Sequence, residues 1–284
     1  MHYISDLQLQ RLIEEDLPSG DLTTQTLGIG TAAARMEFFA RGDMTVATIE
    51  EAARILEMLG VRARAACCSG AQVSAGTRLL SATGPAGAIF AGWKVAQNLV
   101  EWASGIASEA RSIVDAAHAV DRSVVVACTR KAPPGTRILA QKAVVAGGAS
   151  IHRIGLSDTV LLFPEHRQFG GNEALRDQLA RLRMSCPERK LVVEVKNIGE
   201  ALIAARNGAD VLQLEKFSPS GVTDTIAMLR ELGHAGPLIA VAGGINARNV
   251  ADYIRAGARI VVTSSPYTAR PADVQVVIDA VPER

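Results

Sequence analysis

The 284-residue sequence has almost no net charge: 30 lysines and arginines against 29 aspartates and glutamates leave a formal +1. That balance removes any whole-molecule attraction to nucleic acid or to an anionic membrane surface, so the basic residues must act locally. Cysteine is scarce as well. Of the four, Cys67 and Cys68 are adjacent while Cys128 and Cys186 stand far apart, a spacing that fits neither a zinc site nor a disulfide framework. They read as small core residues in a reducing, cytoplasmic setting. The amino terminus lacks a basic segment followed by an apolar one, and no apolar run is long enough to span a bilayer. The sequence therefore predicts no nucleic-acid partner and no membrane partner.

What is present is a large apolar content, 48%, enough for one large core or two unequal ones, with helical and strand periods alternating in the manner of an α/β protein. Residues 5–16 predict a helix capped by Ser5. Residues 15–24, with Pro18 and Gly20, predict a turn whose acids and hydroxyls cap neighbouring backbone. Strand patterns at 35–47, 62–68, 78–81 and 87–90, with a helix over 50–59, describe a small α+β unit. A long helical pattern over 91–118 closes it, with Gly105 as a candidate irregularity.

After Val124 the rhythm becomes strand then helix. Strands are predicted at 124–128, near Ile151, and at 159–163, 191–195, 211–214, 238–241 and 259–263, and helices at 137–146, 171–184, 198–207, 222–232 and 247–256. About seven such units joined by right-handed crossovers predict a closed or nearly closed parallel β/α barrel.

Chemistry in such barrels sits at the carboxyl ends of the strands. Those ends carry Arg130 and Lys131, His152 and Arg153, Glu194, Glu215, Gly243 with Gly244, and Ser264 with Ser265. Cations end the early strands, acids the middle ones and glycines a late one. The two basic dipeptides suit a carboxylate or phosphate; the alternative is that Arg130 and Arg153 pair with Glu194 and Glu215 across the barrel. The acids, in turn, either pair with Lys196 and Lys216 or share a magnesium ion or hold ribose hydroxyls. Gly243-Gly244-Ile245-Asn246, with Asn246 as cap of a helix from Ala247, reads either as a phosphate loop or as a tight turn into a helix. Lys131 also has the chemistry of a Schiff-base nucleophile, but nothing nearby argues for the lowered pKa that role needs.

Several stretches together resemble the nicotinate-nucleotide pyrophosphorylase family, also called quinolinate phosphoribosyltransferase. They are the run from Glu15 to Thr24, Asn98 with Ser104-Gly105-Ile106-Ala107, Thr129-Arg130-Lys131 with Pro134-Gly135, His152-Arg153-Ile154-Gly155-Leu156, Val193-Glu194-Val195, and Gly243-Gly244-Ile245. The resemblance spans essentially the whole chain. It implies an incomplete parallel barrel of about seven strands with a smaller N-terminal α+β domain: residues 1–108 with the long linking helix, 109–270 for the barrel, and 271–284 returning to the first domain.

It also implies an activity, the transfer of phosphoribose from phosphoribosyl pyrophosphate, with Mg²⁺, to a heterocyclic acid. By the resemblance Arg130, His152 and Arg153 bind the acid and Lys131 lies near the phosphoribosyl pyrophosphate. Glu194 and Glu215 are the acids near the ribose and its magnesium, and Gly243 and Gly244 hold the 5′-phosphate. Lys94 stands where the family has an arginine reaching into the other subunit's site, which implies a homodimer with a shared active site. Phe163-Pro164-Glu165-His166 stands where the family runs Lys-Asp-Asn-His, so an apolar ring replaces a pocket lysine and His166 retains the histidine. Near the phosphate loop, Ser264 and Ser265 supply hydroxyls where the family has glycine. These departures look most like the subgroup ModD, associated with molybdenum transport. Two further readings are a non-catalytic module that binds an oxyanion such as molybdate, and a true quinolinate enzyme of NAD biosynthesis.

Overall fold

The computed structural model describes residues 3–169 and 175–282. The chain divides into two compact units. The first gathers the chain up to Arg111, Pro133–Gly148 and the chain from Pro266 onward, and the second gathers Ser112–Ala132 and Ala149–Ser265.

The first unit opens with α1 (Asp6–Asp16), whose first turn is closed by the Ser5 N–H donating to Gln8 Oε1 at 3.0 Å. The following turn contains more order than its Pro and Gly suggest. Asp21 accepts from the N–H groups of Thr23 and Thr24 and so caps a short helix, α2 (Leu22–Leu27), that ends at Gly28. Then come β1 (Ala33–Ala40), β2 (Met44–Thr45), α3 (Ile49–Met58), β3 (Arg62–Ala65), β4 (Gln72–Val73), β5 (Arg78–Pro85) and the 33-residue α4 (Ala86–His118). Ala34, Met36, Phe38 and Ala40 of β1 are buried while the residues between them face outward, the period of two expected of a strand with one covered face. Ile49, Ala52, Ala53, Ile55 and Leu56 bury one face of α3.

The strand predicted at 87–90 is instead the first turn of α4. Its opening N–H groups are satisfied from outside the helix, Ala86 donating to Ala32 O at 2.8 Å and Gly87 to Gly30 O at 2.9 Å. A four-residue apolar run cannot by itself distinguish the two periods.

The second unit is built on β6 (Val125–Cys128), followed in the chain by α5 (Arg137–Ala146), β7 (Ser150–Ile151), β8 (Val160–Leu162), α6 (Pro164–Gln168), α7 (Leu175–Ser185), β9 (Leu191–Val195), α8 (Ile198–Arg206), β10 (Val211–Glu215), α9 (Pro219–Glu231), β11 (Leu238–Ala242), α10 (Val250–Arg255) and β12 (Ile260–Thr263). Residues 171–174 of the helix expected over 171–184 lie outside the described residues. The strands form one seven-stranded sheet in the order β7-β6-β12-β11-β10-β9-β8, and every pairing is parallel. Its two edges, β7 and β8, are consecutive in the chain yet do not pair with each other among the described residues, so the barrel is incomplete.

Register decides which side chains face the bore. Gln213 lies opposite Glu194 and Ala240, Ala240 opposite Ile260, and Val262 opposite Ala127. The bore-facing apolar residues are modest in size: Val211, Ala240, Ala242 and Val262 pack with Val192 and Ile260. The alternate set, including Val193, Val195, Leu212, Leu214 and Val261, is fully buried on the other side of the sheet. Alanines in place of the bulky residues that fill many barrels leave the bore roomy at its carboxyl end.

After β12 the chain returns to the first unit, where β13 (Val274–Ala280) pairs antiparallel with β1, from Ala34↔Ala280 to Ala40↔Val274, and completes the sheet β13-β1-β5-β3. Gly105 does not interrupt α4. A Cβ there would come within 2.2 Å of Arg270 O, so the glycine lets the returning chain lie directly on the helix. The units differ from sequence order in two respects: residues 133–148, with α5, cluster with the first unit, and the second begins at Ser112, inside α4.

Candidate active site

At the carboxyl ends of the strands lies a cavity of about 690 Å³. Its lining brings together Arg130, Lys131, His152, Arg153, Phe163, Glu194, Glu215, Gly243, Gly244, Ser264 and Ser265 from seven strand ends. Lys94 and His166 are not part of it.

The cationic side comes from the ends of β6 and β7. Arg153 is only 6% exposed. Its Nε donates to Gly155 O at 3.3 Å, and its Nη1 is buried without a partner. Burial and then the nearby Arg130 push the Arg153 pKa down, with Asp158 pulling the other way. Among the described residues no ion pair joins Arg130 or Arg153 to Glu194 or Glu215, so the cross-barrel pairing considered from sequence is not formed. Burial, and then Arg153, also lower the His152 pKa, which leaves the imidazole neutral at pH 7. Lys131 is exposed on the rim, its backbone N–H donating to Thr129 Oγ1 at 3.3 Å.

The acidic side comes from β9 and β10. Burial and then the neighbouring Glu215 raise the Glu194 pKa, while the amide of Gln213, donating to Glu194 Oε2 at 2.8 Å, opposes them. Lys196 forms its ion pair with Glu165, at 3.7 Å, and among the described residues neither Lys196 nor Lys216 bridges to Glu194 or Glu215.

The glycine corner follows β11. Gly243 and Gly244 both have positive φ, 94° and 77°. A Cβ on Gly243 would lie 2.6 Å from Lys216 Cγ and 3.0 Å from Glu215 Oε1, so this glycine makes room for the acid and for the stem of Lys216. Lys216 itself holds φ at 59°, a strained value for a non-glycine residue. The helix expected from Ala247 begins only at Val250, after Asn249. Asn246 organises a turn instead: its N–H donates to Asn249 Oδ1 at 2.9 Å, and its Oδ1 accepts from Arg248 N–H at 3.0 Å. Asn-initiated turns compete with capping for the same backbone groups, which is why the sequence alone misplaced this helix start. Thr263 ties the adjacent strand to the corner by donating to Ile245 O at 2.7 Å and accepting from Ser265 N–H at 3.0 Å.

Phe163 enters the cavity from the end of β8. His166 stands behind it, accepting from the Phe163 N–H through Nδ1 at 3.0 Å and stacking on the ring at a centroid distance of 5.6 Å. It supports Phe163 from outside the lining. Lys94, in the first unit, donates to Gln97 Oε1 at 2.9 Å and lies 4.2 Å from the centre of the Trp93 ring.

Sequence reasoning missed Gln213. It lines the cavity and is buried in β10 between Leu212 and Leu214. The available signal was its polarity in an otherwise apolar strand, the same signal that singled out Glu194.

A parallel half-barrel with cations, paired acids and a glycine corner at one mouth defines a phosphoribosyltransferase class. The C-terminal domain of the quinolinate phosphoribosyl transferase family matches residues 106–277 and its N-terminal domain residues 21–104, so the chain belongs to that family and is a pentosyltransferase. Within it the protein is ModD-like: it is 57% identical over 261 residues to the protein of Rhodobacter capsulatus named as pyrophosphorylase ModD, covering 91% of this chain and 99% of that one. The protein of Archaeoglobus fulgidus that bears the name nicotinate-nucleotide pyrophosphorylase (carboxylating) is 30% identical over 257 residues, 90% of this chain and 96% of that one. The solved nicotinate-nucleotide pyrophosphorylase of Ehrlichia chaffeensis shares the fold, with a TM-score of 0.89 over 98% of this chain and all of that one at 23% identity. These likenesses favour the transferase over a non-catalytic oxyanion module. Among the described residues no helix is long and apolar enough to cross a membrane.

Proposed function

We propose that the protein transfers phosphoribose from phosphoribosyl pyrophosphate to a ring nitrogen of a heterocyclic acid. The nitrogen lone pair forms the new bond to C1 of the ribose as the C1–oxygen bond breaks, and the electron pair of that bond leaves with pyrophosphate. The observation that carries this reading is the division of one cavity into a cationic side, two acids on adjacent strands and a glycine corner.

Each group has a role that its surroundings support. Arg130 and the buried Arg153 hold the carboxylate of the acid, with neutral His152 beside them. Lys131, at the rim, meets the pyrophosphate. Gly243 and Gly244, with Ser264 and Ser265, hold the 5′-phosphate. Glu194 and Glu215 suit Mg²⁺ bound with the pyrophosphate, because burial and then repulsion from Glu215 raise the Glu194 proton affinity and a divalent cation would offset both. That cation supplies charge neutralisation for the leaving group. Near the ribose, the acids also favour positive charge developing at C1.

The protein works as a homodimer in which Lys94 contributes to the partner's site, in a cytoplasmic setting that suits four free cysteines. Calorimetric titration with phosphoribosyl pyrophosphate and Mg²⁺ tests the central claim, followed by a screen of pyridine and other heterocyclic acids for pyrophosphate release. Absence of heat in the titration would overturn it.

A further inference from the structure

Among the described residues, four buried side-chain polar atoms lack a hydrogen-bond partner, and two of these belong to residues lining the cavity: Arg153 Nη1 and Gln213 Oε1. One is a donor, the other an acceptor. Buried polar groups are rarely left unmatched, and an unmatched pair of this kind in one cavity describes the ligand that would satisfy it.

The orientation of Gln213 is set by its neighbour. An ionised carboxylate only accepts, so the Gln213 amide nitrogen faces Glu194 Oε2, at 2.8 Å, and the amide oxygen must point elsewhere. With Gln213 only 4% exposed, that oxygen has no recourse to bulk solvent.

Strand register shows which part of the cavity Gln213 serves. Gln213 lies opposite Glu194, and Val193, the residue before Glu194, lies opposite Leu162, the residue before Phe163. Phe163, Glu194 and Gln213 thus form one layer across three strands. Glu215 lies opposite Ala242, the residue before Gly243, so the glycine corner stands one layer nearer the rim. A sugar phosphate held at the rim leaves the lower layer for the flat acceptor. That layer offers an aromatic face and an unpartnered amide oxygen, which repels a second carboxylate while welcoming a donor.

We infer that Gln213 is a specificity-determining residue that accepts a hydrogen bond from the acceptor, which is an aromatic heterocyclic acid with one carboxylate and, at another ring position, an N–H or O–H group. The carboxylate lies on Arg153, the ring beside Phe163 and the donor on Gln213 Oε1. This deepens the transferase reading and rests on it.

The test uses matched pairs of heterocyclic monoacids that differ only in an amino or hydroxyl substituent. With phosphoribosyl pyrophosphate and Mg²⁺, the parent protein should use the donor-bearing member of at least one pair on the order of ten- to a hundredfold better in kcat/KM. Gln213→Met should bring that ratio close to one, chiefly through the KM of the donor-bearing acid. A parent that ignores the substituent in every pair, or a Gln213→Met variant that keeps the ratio, overturns the inference. The parent comparison needs no variant and is therefore independent of how well Gln213→Met folds. If no acid releases pyrophosphate, the transferase reading is what fails. Calorimetric binding of the same pairs to the parent then decides the role of Gln213 separately: tighter binding of donor-bearing acids sustains it, and equal or absent binding refutes it.

Discussion

Arg130 and Arg153 face one cavity, and among the described residues no carboxylate bridges them: burial and then Arg130 lower the Arg153 pKa, and its buried guanidinium nitrogen Nη1 has no partner. For stability alone this is a poor use of charge. Replacing Arg153 by Gln should therefore leave the thermal midpoint of the ligand-free protein no lower than the parent's, while kcat/KM for the acid falls by roughly a hundredfold or more. A parallel loss of stability and activity would show that Arg153 is structural.

The glycine corner makes a paired prediction. Gly243→Ala must place a methyl group where Glu215 and Lys216 already stand, at a positive φ, and should cost about 2–4 kcal/mol and weaken phosphoribosyl pyrophosphate binding. At Gly244 the φ is also positive but no heavy atom lies within 4 Å of the added carbon. Gly244→Ala should cost only about 1 kcal/mol. Chemical denaturation of both variants measures the difference.

The carboxyl of Glu194 titrates above the ordinary value of 4.5, first because of burial and then because of Glu215. Between the unfolded and the raised native value, the native protein binds more protons than the unfolded chain, so this group's contribution to stability falls as pH rises. Glu194→Gln removes that dependence. Its thermal midpoint relative to the parent's should be higher at pH 8 than at pH 4, where the parent carboxyl is largely protonated in both states. An offset that did not change with pH would contradict the assignment.

On the proposed reading, Phe163 sets the charge preference of the lower layer. Phe163→Lys adds a cation beside Glu194 and should raise the ratio of dicarboxylate to monocarboxylate use about tenfold in pyrophosphate-release assays. An unchanged ratio would place the ring outside the acceptor's reach.

The barrel was legible in the sequence because its strands are short, β-branched and separated by amphipathic helices, so period and length agreed. The sheet of the first unit was less so. The 87–90 segment is too short to show a period, and its helical identity is fixed by carbonyls of Gly30 and Ala32 that no local pattern reveals. The charged residues of the site stood out because each interrupts or ends an apolar strand. Gln213 did the same but carries no charge, and its importance emerges only from the register that sets it against Glu194. The start of α10 was misplaced because Asn246 and Asn249 are both able to cap, and only the fold decides between them.

Phe163 follows one edge of the open sheet and Arg153 follows the other, while Glu194, Glu215 and the glycine corner follow the interior strands β9, β10 and β11. The ring assigned to the acceptor and the buried arginine of its carboxylate site therefore hang on margins where exchanging a residue disturbs a single neighbouring ladder, while Arg130, Gln213 and most of the groups assigned to the sugar phosphate hang on strands pinned from both flanks. On the proposed reading, such a layout would let part of the base site change while the phosphoribosyl machinery stays intact.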